Sequence, residues 1–194
     1  MEKLTGNKKI NIAVFISGRG SNLINLIKFS HLKRSKVKIN LVISDNLMAK
    51  GLGFAKKFKI KFKIINYKSV KKAENNILKL LSQNNIHLVC LAGFMKILSS
   101  NFIKKFQGKI INIHPSLLPK YKGLNTHYRA IKNKEKYSGC TVHYVSSKLD
   151  SGKIILQKKI KILKKDTPNS LSKRILKEEH VIYKKSIKKI YPNL

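Results

Sequence analysis

The chain has no tryptophan, only two cysteines and four prolines, and only eight acidic residues against 43 lysines and arginines. Two cysteines make no disulfide scaffold. Cys90 and Cys140 both sit in apolar runs that suit buried reduced thiols, which points to a cytoplasmic address. No apolar run approaches the roughly 20 residues of a membrane span; the run 10–16 is short and strand-like, and the polar, lysine-bearing stretch 1–9 before it gives no export or anchoring signal. His114, His127 and His143 are too dispersed for zinc-ligand spacing, so no metal is expected. Arginine is scarce too, limited to Arg19, Arg34, Arg129 and Arg174, whereas a nucleic-acid reader uses arginine forks at bases and aromatic platforms beneath them. The lysine excess comes with much Ile and Asn and little Ala, the signature of A- and T-rich codons. The formal charge of +35 is therefore read as coding bias: it implies weak, salt-sensitive association with polyanions and no specific nucleic-acid partner.

What is present is enough for one substantial core: 194 residues, 42% of them apolar, read as a single domain over 1–194. Apolar β-rich runs alternate with segments of helical spacing, the pattern of an α/β fold with a mostly parallel twisted sheet and helices on both faces. Strands are expected at 10–17, 37–44, 61–65, 88–91, 109–114, 141–145 and 153–162. Helices are expected at 22–29, 49–58, 71–83, 101–106 and 126–132. A last helix opens on Thr167 as cap and Pro168 in its first turn, with Leu171, Ile175, Leu176, Val181 and Ile182 as the stripe packed on the sheet.

Four places carry chemistry. Asn112-Ile113-His114, followed by Pro115-Ser116-Leu117-Leu118-Pro119, puts an amide and an imidazole two residues apart at the mouth of a strand, hence on one face. One can hold an oxygen while the other moves a proton; a histidine at a strand end can also be a plain surface or core residue. Ser17-Gly18-Arg19-Gly20-Ser21-Asn22 leaves the first strand and opens the first helix, where backbone amides and the helix dipole suit a phosphate. An ordinary glycine turn fits the same residues, and neither a P-loop lysine nor a third glycine at dinucleotide spacing is present. The stretch Ala92-Gly93-Phe94-Met95-Lys96-Ile97-Leu98 can wall a flat aromatic ligand or pack as core. Asp150, in Leu149-Asp150-Ser151-Gly152, is either a turn former or an acid returned to the end of the sheet.

Joined, these residues resemble the phosphoribosylglycinamide formyltransferases, a folate-dependent family of purine synthesis, from the Ser17 loop through Asn112 to Pro119, Gly123-Leu124-Asn125-Thr126-His127 and the segment 139–157. Glu178-Glu179-His180-Val181-Ile182-Tyr183 resembles the family's last helix. The resemblance implies a formyltransferase domain with a phosphate-binding N-terminal half and a folate-binding, catalytic C-terminal half. It implies that Asn112, His114 and Asp150 are catalytic and that Gly20, Ser21, Asn22 and Glu179 hold the ribonucleotide. The folate pocket it implies is lined by Met95, Lys96, Ile97, Leu98, Asn112, Ser146, Ser147, Lys148 and Leu149. Lys96 stands where the family often has arginine, and an arginine of the family has no counterpart near Val70 to Lys72.

The activity implied is transfer of the formyl group of 10-formyltetrahydrofolate, as co-substrate, to the amine of phosphoribosylglycinamide. Asn112 would donate to the developing oxyanion and His114, held by Asp150, would act as acid. Small-molecule substrates, no metal, no membrane, and a monomer or weak homodimer complete the expectation. Hydrolysis of the same folate is the competing enzymatic reading, disfavoured by the phosphate loop. A polybasic nucleic-acid-binding protein is the competing non-enzymatic one, and it leaves the motifs without a purpose.

Overall fold

The structure is a computed structural model and describes residues 9–192. Most of the N-terminal stretch read for export signals, residues 1–8, lies outside the described residues. The α/β class holds: seven strands hydrogen-bond in the order β3-β2-β1-β4-β5-β6-β7. They are β1 Ile10–Ile16, β2 Val37–Ser44, β3 Phe62–Ile64, β4 Leu88–Leu91, β5 Lys109–His114, β6 Tyr137–Tyr144 and β7 Ile154–Lys161. The helices are α1 Ser21–Ser30, α2 Leu52–Lys57, α3 Val70–Gln83, α4 Ser100–Lys105, α5 Thr126–Lys132 and α6 Pro168–Ile190. The chain divides into two compact units, Met1–Ile110 and Ile111–Asn193.

The first unit is built on parallel pairing of β1 with β2 and β4, and of β2 with β3. Strands buried on both sides read as unbroken apolar runs, which is why β1 and β4 lack alternation. Val14, Phe15, Ile16, Leu88 and Val89 are all fully enclosed. Each such side chain contributes about 1.5–3 kcal/mol by leaving water. α3 starts where the Ser69 hydroxyl accepts the Lys72 amide, and α4 where Ser99 accepts that of Phe102. Glu74, buried on the inner face of α3, accepts the Ser99 amide at 2.7 Å and its hydroxyl, so the carboxylate is satisfied by the cap of the next helix.

In the second unit the pairing changes: β6 runs antiparallel to both β5 and β7. A connection as short as 145–153 between β6 and β7 permits only antiparallel neighbours, since a parallel return needs a dozen or more residues. β6 also begins at Tyr137, four residues ahead of the expected 141, because Ser138 and Gly139 pair with β7 in place of forming a loop. Gly139 is required there: a Cβ would stand 1.9 Å from the Lys158 carbonyl oxygen. α6 begins as expected, with Thr167 in a reciprocal capping box with Ser170 and Pro168 in the first turn. Its buried face is Leu171, Ile175, Glu179, Ile182, Tyr183, Ser186, Ile187 and Ile190. Val181, expected in that stripe, is 41% exposed, one position off the packed face. α2 is shorter than 49–58, starting at Leu52.

Candidate active site

Asn112 and His114 emerge on one face of β5, and the turn after β6 brings Asp150 to both. His114 Nδ1 lies 3.4 Å from Asp150 Oδ2, and Asn112 Nδ2 lies 3.5 Å from Asp150 Oδ1. The acid is placed by its backbone: Asp150 has φ 45°, and at Gly152 a Cβ would stand 1.7 Å from the Tyr144 carbonyl oxygen, so the turn folds tightly onto the end of β6. The Gly123 amide donates to Asp150 Oδ2 at 2.9 Å. Asp150 is therefore a hydrogen-bonded carboxylate whose side chain is only 8% exposed.

His114 is buried at 6% exposure, and both ring nitrogens face acceptors. Nε2 donates to the Tyr121 carbonyl oxygen at 2.8 Å, while Nδ1 faces Asp150. An imidazolium, donating from both nitrogens, satisfies both contacts. The loop that carries Tyr121 is pinned from several sides. Thr141 Oγ1 donates to the Ser116 carbonyl at 2.6 Å and accepts the Leu118 amide at 3.2 Å. Gln157 Nε2 donates to the Leu118 carbonyl at 2.7 Å. The Tyr121 hydroxyl donates to Glu135 at 2.9 Å, and the Arg129 guanidinium lies 5.2 Å from the Tyr121 ring centre. The Leu118-Pro119 bond is cis.

Two groups not assigned from the sequence complete the cluster. His143 sits directly opposite Asn112 in the β5–β6 ladder, and its Nε2 lies 3.2 Å from Asn112 Nδ2 and 3.8 Å from Asp150 Oδ1. Its Nδ1 donates to the Tyr144 carbonyl at 2.8 Å. Burial pushes the His143 imidazole below its ordinary value, helped by the His114 charge and opposed by the Tyr144 carbonyl and Asp150. The second is the Tyr121 carbonyl itself, a backbone group that carries no side-chain signal. His127, on α5, is likewise pushed down, first by burial and then by the charge of His114. Among the described residues no group of His, Cys, Asp and Glu is arranged to hold a metal.

In the first unit, Gly20 caps α1 with φ 75°, no side chain caps that helix, and no acidic residue stands in its first turn. The first-turn amides are therefore not covered by a side-chain cap, as an anion requires. Gly20 is also a packing glycine: a Cβ there would stand 2.5 Å from Gly51 Cα. Ser21 is half-buried and Asn22 buried. Ser17 ties this loop to the wall expected for the folate, donating from its hydroxyl to Asp45 and accepting the Met95 amide at 2.8 Å. Along that wall Met95 and Ile97 are exposed, Leu98 is buried as core, and Lys96 Nζ lies 3.8 Å from Asp45 Oδ2.

The remaining expected residues lie apart from Asp150's immediate contacts. In the loop after β6, Ser147, Lys148 and Leu149 are exposed and Ser146 donates to the Lys148 carbonyl at 3.1 Å. Glu179 is buried on the inner face of α6; burial and then the charge of Glu179 push the Cys140 thiol up. Val70, Lys71 and Lys72 are exposed at the start of α3.

Comparison with known proteins gives a consistent picture. The family described as formyl transferase matches residues 10–187. The phosphoribosylglycinamide formyltransferase of Haemophilus influenzae is 41% identical over 180 residues, 91% of this chain and 85% of that protein. The human trifunctional purine biosynthetic protein adenosine-3 is 42% identical over 179 residues, and the chain spans only 18% of that protein's length. Among solved structures, the phosphoribosylglycinamide formyltransferase from Anaplasma phagocytophilum superposes with a TM-score of 0.88 at 45% identity, covering 93% of this chain and 86% of that one.

Proposed function

The chain belongs to the formyl transferase family, and from that premise we propose that it transfers the formyl group of 10-formyltetrahydrofolate to the amine of phosphoribosylglycinamide, in purine biosynthesis. The observation that carries the proposal is the convergence of Asn112, His114 and Asp150 at one end of β5 and β6. Both bonds to Asp150 are long, at 3.5 Å from Asn112 and 3.4 Å from His114 Nδ1, so a substrate oxygen can compete for those two hydrogens. That is the arrangement an oxyanion site needs, with donors aimed in advance at a place where charge develops.

In the reaction the amine nitrogen forms a bond to the formyl carbon, the carbonyl oxygen takes up negative charge, and the bond to the folate nitrogen then breaks. The amine loses one proton and the folate nitrogen gains one. Asp150 is the group placed to accept the first, and His114 the group placed to give the second and recover it from Asp150. No covalent enzyme intermediate and no metal is needed. Gly20, Ser21 and Asn22 hold the ribonucleotide phosphate at the start of α1, and Glu179 binds the ribonucleotide away from that phosphate. Met95, Lys96, Ile97 and Leu98, with Asn112 and residues 146–149, line the folate site. This division, phosphate binding in the N-terminal half and folate binding and catalysis in the C-terminal half of a single domain, is part of the proposal. So are a cytoplasmic location, a monomer or weak homodimer, and the absence of specific nucleic-acid or membrane partners. Among the described residues no helix is long and apolar enough to cross a membrane.

The test is formyl transfer by the purified protein, followed by the appearance of tetrahydrofolate with and without phosphoribosylglycinamide. Release that depends on the amine is expected. Release at the same rate without it would assign hydrolysis and overturn the proposal.

A further inference from the structure

We infer that His143 is a positioning residue that fixes which end of the Asn112 side-chain amide faces the reaction. The inference rests on the formyl-transfer reading and deepens it, because an amide in a site is ambiguous: one end donates and the other accepts, and only its surroundings decide which is presented.

Antiparallel pairing sets the contact. Asn112 and His143 are directly opposed in the β5–β6 ladder, so their side chains rise together on one face. The β6–β7 register shifts between Val142 and His143, a local irregularity of the kind that re-aims a side chain beside a site. His143 is held by its own strand: Nδ1 lies 2.8 Å from the Tyr144 carbonyl oxygen. A carbonyl only accepts, so Nδ1 carries the hydrogen. In the neutral ring Nε2 is then a bare acceptor, and the atom of Asn112 that meets it at 3.2 Å must be the donating nitrogen. The second hydrogen of the same nitrogen points to Asp150 Oδ1. Two acceptors thus hold one end of the amide, and a flipped Asn112 would set its oxygen against both a lone pair and a carboxylate.

The charged and titratable groups facing His143 are Asp150, which favours its cation, and His114, which opposes it. Burial adds to the opposition and keeps the ring neutral and accepting. The consequence for the reaction is direct: the hydrogen of Asn112 turned toward Asp150 is the one available to a formyl oxygen, and it is there because His143 holds the other.

Two measurements decide the matter. In long-range proton–nitrogen spectra of the histidine-labelled wild-type protein at pH 7.5, with assignment by His143→Gln, His143 is expected to carry hydrogen on Nδ1 and none on Nε2. A ring protonated on Nε2 would overturn the inference. In formyl-transfer kinetics, His143→Leu is expected to lower kcat by on the order of tenfold to a hundredfold with both KM values within about twofold. His143→Gln, whose side-chain oxygen can accept in place of Nε2, is expected to recover most of the loss. Equal impairment in both variants, or full kcat in the leucine variant, would overturn it. A wild-type protein with no formyl transfer would defeat the functional reading, while the spectrum still decides the tautomer.

Discussion

The two units handle polar groups in opposite ways. In the first, β1 and β4 run through an apolar interior, and the chemistry expected there is offered largely by backbone: the uncapped first turn of α1. In the second, β5 and β6 carry Asn112, His114, Thr141 and His143 inside the unit, each hydrogen-bonded. The difference follows from strand direction. A parallel strand delivers its loop and the next helix start to its carboxyl end, which suits binding an anion without side-chain chemistry. Antiparallel strands set side chains directly opposite each other, which suits a network in which each group orients its neighbour. On the proposed function, the first unit holds the phosphate through its backbone and the second carries the reaction through its side chains.

Truncation in the second unit is the strongest way to break that contrast. His114→Ala and Asn112→Ala are each expected to lower kcat on the order of a hundredfold or more, the scale for removing an acid or an oxyanion donor. The structure adds a stability effect for His114 only: it is buried and bonded to the Tyr121 carbonyl, so its loss strands that acceptor and costs about 1–3 kcal/mol. Urea unfolding should show a lower midpoint for His114→Ala than for Asn112→Ala, which is half-buried. Equal midpoints would mean that the Tyr121 contact contributes nothing.

In the first unit, Asn22→Asp places a carboxylate where the phosphate is to sit. Calorimetry should show ribonucleotide binding weakened by about tenfold or more while folate binding stays within about twofold. Gly20→Ala tests the same loop through the backbone, since its φ of 75° and its approach to Gly51 leave no room for a Cβ. It should weaken the ribonucleotide and lower the urea midpoint together.

The smallest effect is on stability against pH. Burial holds both His127 and His143 below the ordinary imidazole value of about 6.5. Between that value and the lower folded ones the unfolded chain binds more protons, so stability falls as pH falls through this window and is fully present above it. The urea midpoint should be lower at pH 5.5 than at pH 7.5, and His143→Gln should reduce the difference. A midpoint that rises on acidification would contradict the burial of these rings.

Local pattern carried most of the fold. The apolar run of β1, the Thr167-Pro168 start of α6 and the strand 109–114 were legible because each depends on residues adjacent in the chain. Asn112 and His114 were legible as a pair for the same reason, being two apart in one strand. His143 was not, because its role comes from lying opposite Asn112, and that opposition exists only if β6 runs antiparallel to β5. The short 145–153 connection was the signal that bore on it, since it forces β6 and β7 to be antiparallel and breaks the parallel pattern. Val181 was misplaced by one position because the helical spacing was followed across a stretch where Glu179, a buried carboxylate, takes the inner face.

The central claim, that phosphate binding belongs to the first unit and the reaction to the second, is tested most directly by steady-state kinetics of Asn22→Asp and His114→Ala measured side by side. The account predicts a raised ribonucleotide KM with kcat near the parent value for Asn22→Asp, and a kcat lowered on the order of a hundredfold with that KM nearly unchanged for His114→Ala. If Asn22→Asp instead lowers kcat while leaving KM alone, or His114→Ala chiefly raises KM, the division is contradicted.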